Sequence, residues 1–308
     1  VEDQDWVVQL KGVKLSREHF QLGPLHLQVP QGYITAIVGP NGSGKSTTFR
    51  MLLGISKPDE GEVEVLGQQV QPETDVGYKR GIGYLQEESQ AFQNSMRARE
   101  KADFARMWHP EWDINRYREL VRLFDIDDSL RLGKMSKGMR RKFELALALA
   151  HDPKLLLLDE PSSGLDPIAW RTMIDVLHRH MERGDRTILM ASHIVEEVKR
   201  LADYIVFMIH GQVMGVFEKD ELFRSWQCLY VRASAADVRW EELPGFSSRE
   251  PAGGDSVKLI TSEASEAELW LQERDITIQA RHVLELDDIL AELVALRALR
   301  SPSRMKGV

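Results

Sequence analysis

Apolar positions recur along this chain with two different periods, and the switches between them divide it into regions. Residues 6–13 and 25–29 alternate apolar with polar, as strands with one wet face do. Residues 33–38 are almost wholly apolar and end at Gly39-Pro40, which predicts a strand buried on both faces. A helix is expected to start near Gly44 and to stop at Gly54 and Pro58. Short strands are predicted again over 61–65 and 81–86. From Ser89 to about Leu132 the period becomes helical, with Tyr117, Leu120, Val121 and Phe124 at i, i+3, i+4 and i+7. With the helix predicted over 138–150, this stretch reads as an inserted helical subdomain, 89–150. Strands 155–158, 187–191 and 204–209 then alternate with helices 167–182 and 194–201. That rhythm predicts an α/β fold built on a mostly parallel sheet with helices on both faces.

A second change of texture falls after Trp226. Gly211-Gln212-Val213 reads as a hairpin strand and 219–225 as a short helix, which completes a main domain over 1–225. Strands 228–233, 257–261 and 276–282, helices 263–273 and 285–298, and a Pro/Gly-rich loop at 244–254 predict a small α+β appendage over 226–308. The tail 301–308 is expected to fray, and no internal repeat is visible.

Composition narrows the class without naming a chemistry. Hydrophobic residues make up 43% of the 308, enough for a sizeable core. The longest apolar runs, such as 204–209, fall far short of the ~18 residues of a membrane span. The chain opens Val1-Glu2-Asp3, with no charged-then-apolar leader. Its one cysteine, Cys228, has no intrachain partner, which fits a reducing compartment; the residue reads as a small apolar strand position. A formal net charge of −8 argues against binding to nucleic-acid backbones.

Chemistry first shows at Gly39-Pro40-Asn41-Gly42-Ser43-Gly44-Lys45-Ser46-Thr47, between the buried strand and the helix. This is the pattern of a phosphate-binding loop. Glycines let backbone amides turn inward around phosphates, and the helix start adds its positive dipole end. Lys45 would reach the β- and γ-phosphates and the Ser46 hydroxyl would ligate Mg²⁺. Leu155-Leu156-Leu157-Leu158-Asp159-Glu160 is an apolar strand delivering two acids at its C-terminal end, where α/β sheets bind ligands. Asp159 is expected to hold Mg²⁺ through water and Glu160 to polarise the attacking water.

Between these elements lies Met135-Ser136-Lys137-Gly138-Met139, which resembles the signature motif of ABC ATPases, usually written Leu-Ser-Gly-Gly-Gln. Pro161-Ser162-Ser163-Gly164-Leu165-Asp166 resembles their D-loop, Gln86 their Q-loop glutamine and His193 their switch histidine. The resemblance covers about 1–225. The Ser-Lys-Gly-Met form of the signature and Trp112-Asp113 are similar to ATPases of bacterial ABC-2-type exporters, including the YtrB-like branch. What the resemblance implies is a P-loop NTPase of ABC-ATPase fold, with a mostly parallel core sheet, an N-terminal antiparallel β subdomain and the inserted helical subdomain.

It further implies an ATP-hydrolysing subunit at the cytoplasmic face of a membrane, with ATP and Mg²⁺ as its cofactors. Two such subunits, a homodimer being self-sufficient, would pack head to tail and drive a separate permease, an exporter. Ser136 and Gly138 would then contact the γ-phosphate held by the partner, with Asp166 at the same interface. Gln86 would act as metal ligand and, with His193, Lys45 and Glu160, in catalysis. Lys137 and Met139 depart from the family's glycine and glutamine, which bears on the strength of the dimer contact. No aromatic residue falls where the family stacks adenine, in the zone from Leu15 to Phe20; Phe20 is the nearest candidate, with plain core packing as its alternative. Trp108, Trp112 and Tyr117 are weighed toward the small subdomain's core over a groove for a membrane partner. Residues 87–96 are the expected permease contact, and Arg140, Arg141 and Lys142 read as a solvated helix face. Two other functions compete. A soluble ABC ATPase of ribosomes or DNA would bring a second phosphate loop or long heptads, and the sequence has neither. A non-catalytic nucleotide sensor sits poorly with Lys45, Asp159, Glu160 and His193 all present.

Overall fold

The computed structural model describes residues 5–18, 20–71, 77–87, 91–232 and 238–300. Of the segments singled out above, His19, residues 88–90, residue 233 and the tail 301–308 lie outside the described residues. The chain divides into two compact units, Val1–Val216 and Phe217–Val308. The sequence pattern put the break at 225/226; the structural division falls inside a strand, Gln212–Glu218.

The first unit begins with β1 (Trp6–Arg17), β2 (Phe20–Pro30), β3 (Ile34–Val38), α1 (Lys45–Leu52), β4 (Glu60–Val65), β5 (Gln68–Gln69) and β6 (Ile82–Leu85). Helices α2 (Ala98–Trp108), α3 (Ile114–Leu123) and α4 (Lys137–Leu149) follow. It closes with β7 (Leu155–Asp159), α5 (Pro167–Met181), β8 (Thr187–Ala191), α6 (Val195–Leu201), β9 (Tyr204–Ile209) and β10 (Gln212–Glu218). Two sheets result. One has strand order β2-β1-β4-β5, and its β1–β2 and β1–β4 pairs are antiparallel. The other runs β10-β9-β3-β8-β7-β6, with β3 parallel to both its neighbours.

Burial explains the two strand textures. β3, β7 and β8 are buried at every position, as central strands covered on both faces must be. Along β1, Val8, Leu10, Val13 and Leu15 point inward while Lys11 and Lys14 face water, with register shifts after Lys11 and Val13. Those inward residues join Phe49 and Met51 of α1 and Val206 and Met208 of β9 in one core beneath the phosphate loop. Full burial of each such side chain contributes about 1.5–3 kcal/mol. The helical stretch has a core of its own, in which Tyr117, Leu132 and Phe143 pack with Trp112, Val121 and Met135.

The second unit carries α7 (Lys219–Ser225), β11 (Gln227–Arg232), β12 (Phe246–Pro251), β13 (Ser256–Thr261), α8 (Ala264–Gln272), β14 (Ile278–Val283) and α9 (Leu286–Arg300). Its antiparallel sheet has the order β12-β13-β11-β14, with Leu229, Trp240, Leu259 and Leu271 at its core. Cys228 is buried in β11. β12 occupies part of the stretch read as a Pro/Gly-rich loop. It is an edge strand with few apolar residues and ends at Pro251, where a missing N–H costs no central ladder bond.

Candidate active site

β3 points the phosphate loop out of the sheet. Because β8 and β9 flank it in parallel register, the chain leaves at the C-terminal end of the strands, and Gly39 makes the exit. A Cβ there would lie 2.0 Å from the Met208 carbonyl oxygen, so only glycine lets the loop pass β9 this closely. Gly42 and Gly44 have φ of 78° and 110°, left-handed values that a side chain rarely adopts. The loop is closed by a bond from the Ser43 N–H to the Pro40 carbonyl (3.1 Å), and anchored by one from the Gly211 N–H to the Ser43 carbonyl (3.0 Å).

Lys45 opens α1 and is 6% exposed. Its Nζ donates to the carbonyls of Gly39 (2.7 Å) and Pro40 (3.2 Å). Burial lowers its pKa, against the opposing pull of the Glu160, Asp159 and Glu87 carboxylates. Those three acids line, with residues 41–47 and Phe20, a cleft of about 460 Å³. Phe20 packs on the core beneath the loop and also edges this cleft.

β7 sets the two acids. Its four buried leucines carry Asp159 to the same sheet end as Gly39. Asp159 is itself buried; the Ser46 hydroxyl bonds its carboxylate, yet Oδ1 has no partner among the described residues. Burial raises its pKa, with Glu87 and Glu160 adding to the effect and the Ser46 bond and Lys45 opposing it. Glu160 adopts φ 49°, a left-handed conformation that costs a non-glycine residue about 1–3 kcal/mol. Its N–H donates to the Ala191 carbonyl at 2.9 Å. In that posture the Glu160 Oε2 lies 2.7 Å from Nδ1 of His193, whose side chain is otherwise 62% exposed.

The structure therefore brings Gly39 to Thr47, Asp159, Glu160 and His193 together. The remaining four residues fall elsewhere. Gln86 lines a separate groove of about 800 Å³ with Ile82, Tyr84 and Trp108, and it is Glu87, one residue on, that lines the cleft. Ile82 and Tyr84, at alternate positions of β6, line that groove with Gln86, whereas Glu87 follows the end of the strand at Leu85 and lines the cleft. Ser136 caps α4, its hydroxyl accepting from the Met139 N–H at 3.2 Å, and is exposed. Gly138 lies against the D-loop, where a Cβ would meet the Gly164 carbonyl oxygen at 2.6 Å. Asp166 caps α5, accepting from the N–H groups of Ile168 and Ala169 at 2.9 Å each.

Two further expectations are corrected by packing. Arg140 and Arg141 are buried, not a solvated face. Arg140 binds Glu144 at 3.1 Å and Asn94 at 2.5 Å. The three aromatic residues also part company: Trp112 and Tyr117 belong to the helical core, whereas Trp108 is 65% exposed and lines the groove beside Gln86.

A model of the ABC transporter family matches residues 22–163. Over 214 residues the chain is 35% identical to the Nod factor export ATP-binding protein I of Rhizobium sp. (strain N33), covering 68% of this chain and 69% of that one. It is 27% identical over 255 residues to the ABC transporter ATP-binding protein YtrB of Bacillus subtilis (strain 168), covering 82% and 85%. A solved ATP-binding subunit of an ABC transporter superposes with a TM-score of 0.64 at 26% identity, over 71% of this chain and 92% of that one.

Proposed function

The chain belongs to the ABC transporter ATP-binding family, and from that premise we propose that it hydrolyses Mg-ATP as half of a head-to-tail pair that drives an exporter. The observation that carries the reading is the meeting of Lys45, Asp159 and the Glu160–His193 pair in one cleft.

Each residue has a physical part. The Lys45 ammonium rests on two loop carbonyls, so an arriving phosphate replaces partners that it already orders. Glu160 orients the attacking water and draws off its proton, with His193 holding the carboxylate in place. Ser46 and Asp159 suit Mg²⁺, which takes one or two carboxylates and fills its octahedron with phosphate oxygens and water. The buried, unpartnered Oδ1 of Asp159 supports that fit. When bound, the ion supplies charge neutralisation at the transferred phosphoryl group. The first turn of α4 carries Ser136 and Gly138 outside the cleft of their own subunit. Their place at a helix N-terminus supports contact with a phosphate held by the second copy.

Among the described residues no helix is long and apolar enough to cross a membrane, and on this reading the permease is a separate polypeptide. The groove of about 800 Å³ that holds Gln86 and exposed Trp108 is the surface that we assign to it. Export accords with the relative named for Nod factor export.

Replacing Glu160 with Gln tests the chemistry. The variant should bind a fluorescent ATP analogue within about threefold of the parental protein, while phosphate release falls about 100-fold or more. Turnover at the parental rate would remove Glu160 from its role. Affinity purification from detergent-solubilised membranes tests the transport half, which fails if no polytopic membrane protein accompanies the chain.

A further inference from the structure

Arg141 lies in α4 and turns its side chain away from solvent; it is 4% exposed. Its guanidinium meets five main-chain carbonyls. Nε donates to Pro161 at 3.0 Å, Nη1 to Gln86 and to Glu87 (3.3 Å), and Nη2 to Asp159 and Glu160. An arginine has five N–H donors in a rigid planar fork, so donors and acceptors here match one for one. Burying a cation is expensive unless every donor is used; at this position every donor is used.

The carbonyls belong to two segments, the exit from β6 and the exit from β7. The first carries Glu87 and the second Glu160, and both side chains line the phosphate cleft. The third attachment is Arg141's own helix, whose N-terminus is Ser136. One side chain therefore joins the acid beside Lys45, the acid bonded to His193 and the helix end that we assign to the partner's phosphate. Burial pulls the Arg141 pKa down, with Glu144, Asp159, Glu197 and Glu160 opposing.

Building on the ATPase reading above, we propose that Arg141 is a positioning residue for hydrolysis. It fixes Glu87 and Glu160 relative to each other and makes the N-terminus of α4 respond to what occupies the cleft. It lies outside the residues that line the cleft and acts through the backbones that it holds. A lysine there keeps the charge but has three donors, so at least two of the five carbonyls lose their partner.

The test uses the full chain as parental protein, Arg141→Lys and Arg141→Met, the lysine variant being kept because the methionine one can fail to fold. Four quantities are measured: kcat and KM for Mg-ATP, Kd for a fluorescent ATP analogue, Tm, and hydrogen exchange with and without the analogue. Arg141→Lys should melt within a few degrees of the parental chain and bind the analogue within about threefold, while kcat falls about tenfold or more at little-changed KM. In exchange, the analogue should still protect α1 in that variant but no longer protect the first turn of α4. The proposal is overturned if kcat of Arg141→Lys stays within about twofold of parental, or if kcat, Kd and Tm decline together as a merely structural residue would make them. A parental chain that binds the analogue without hydrolysing ATP would sink the ATPase reading instead. Exchange would then decide alone: protection of α4 surviving in Arg141→Lys refutes the coupling, and its loss supports it.

Discussion

Replacing Glu197 with Gln should make the stability of this protein less sensitive to pH in a direction opposite to that of an ordinary surface carboxylate. Glu197 lies on α6 and is 0% exposed. Its Oε2 accepts from the Ser192 hydroxyl at 2.5 Å, and that hydroxyl in turn accepts the Ile194 N–H at 3.1 Å, closing the turn that carries His193. Ser162 adds a further side-chain hydrogen bond to the same carboxylate. Burial pushes its pKa up from 4.5 to about 7, with the nearby Glu160 adding to the effect and Ser192, Ser162 and Arg141 opposing it. The folded chain thus keeps a proton that the unfolded chain releases. The stability from this group is full below pH 4.5, declines as pH rises and is lost above about pH 7. At about 1.4 kcal/mol per unit, the loss between about pH 5 and about pH 7.5 comes to roughly 2 kcal/mol.

Glutamine keeps the shape and the bond to Ser192 without titrating. Urea unfolding of both proteins at the two pH values, followed by tryptophan fluorescence, gives the difference directly. His151 and His180, pushed down by burial to about 4 and about 3, titrate in both proteins and cancel. Relative to the parental chain, Glu197→Gln should gain about 2 kcal/mol on going from the lower pH to the higher. A variant-minus-parental difference constant to within about 0.5 kcal/mol would mean that Glu197 ionises as it does in the unfolded chain. The argument from burial would then be refuted.

Two more outcomes follow from the packing. Gly138→Ala puts a methyl group 2.6 Å from the Gly164 carbonyl oxygen, so α4 and the D-loop must separate. Turnover should fall about tenfold while analogue binding at the phosphate loop holds, and unchanged phosphate release would show that the contact yields freely. Trp108→Ala removes an exposed side chain and should leave stability within about 0.5 kcal/mol by urea unfolding. The same variant should lose co-purification with a membrane partner; full retention would move the docking surface away from the groove.

The phosphate loop and the Asp159-Glu160 pair were legible because their chemistry is carried by consecutive residues and by the backbone between them. Glycines at 39, 42 and 44 and four leucines before two acids describe a local path that tertiary packing does not redirect. Arg141 was not legible in the same way. Three adjacent basic residues suggest a wet surface, yet Arg141, Leu145 and Ala148 stand at i, i+4 and i+7 and share the buried face of α4. That periodicity was available in the sequence, but the acceptors that make the burial tolerable come from β6 and β7 and appear only in three dimensions. Trp108 illustrates the converse: it sits at the end of α2, past the positions Ala98 and Ala102 that pack inward, and so escapes the core that holds Trp112 and Tyr117.

The step from Gln86 to Glu87 changes the electrostatics of the cleft. A neutral amide there would leave Lys45 facing two acids; the structure sets three carboxylates, Glu87, Asp159 and Glu160, around one ammonium. Two unit charges about 4 Å apart at an effective dielectric near 20 interact by about 4 kcal/mol. A bare triphosphate would therefore meet more repulsion from the acids than Lys45 alone offsets. The loop amides offset part of this, but they are directed at the phosphates and leave the acids uncompensated. A divalent cation held by Ser46 and Asp159 would reverse the sign of the contact. The Asp159 Oδ1, which has no partner among the described residues, and the pKa that burial and Glu87 push up, are the signs expected of a carboxylate arranged for that ion. On the proposed ATPase reading, metal and nucleotide would therefore enter as one unit, and the acidity of the cleft would make binding selective for the metal complex.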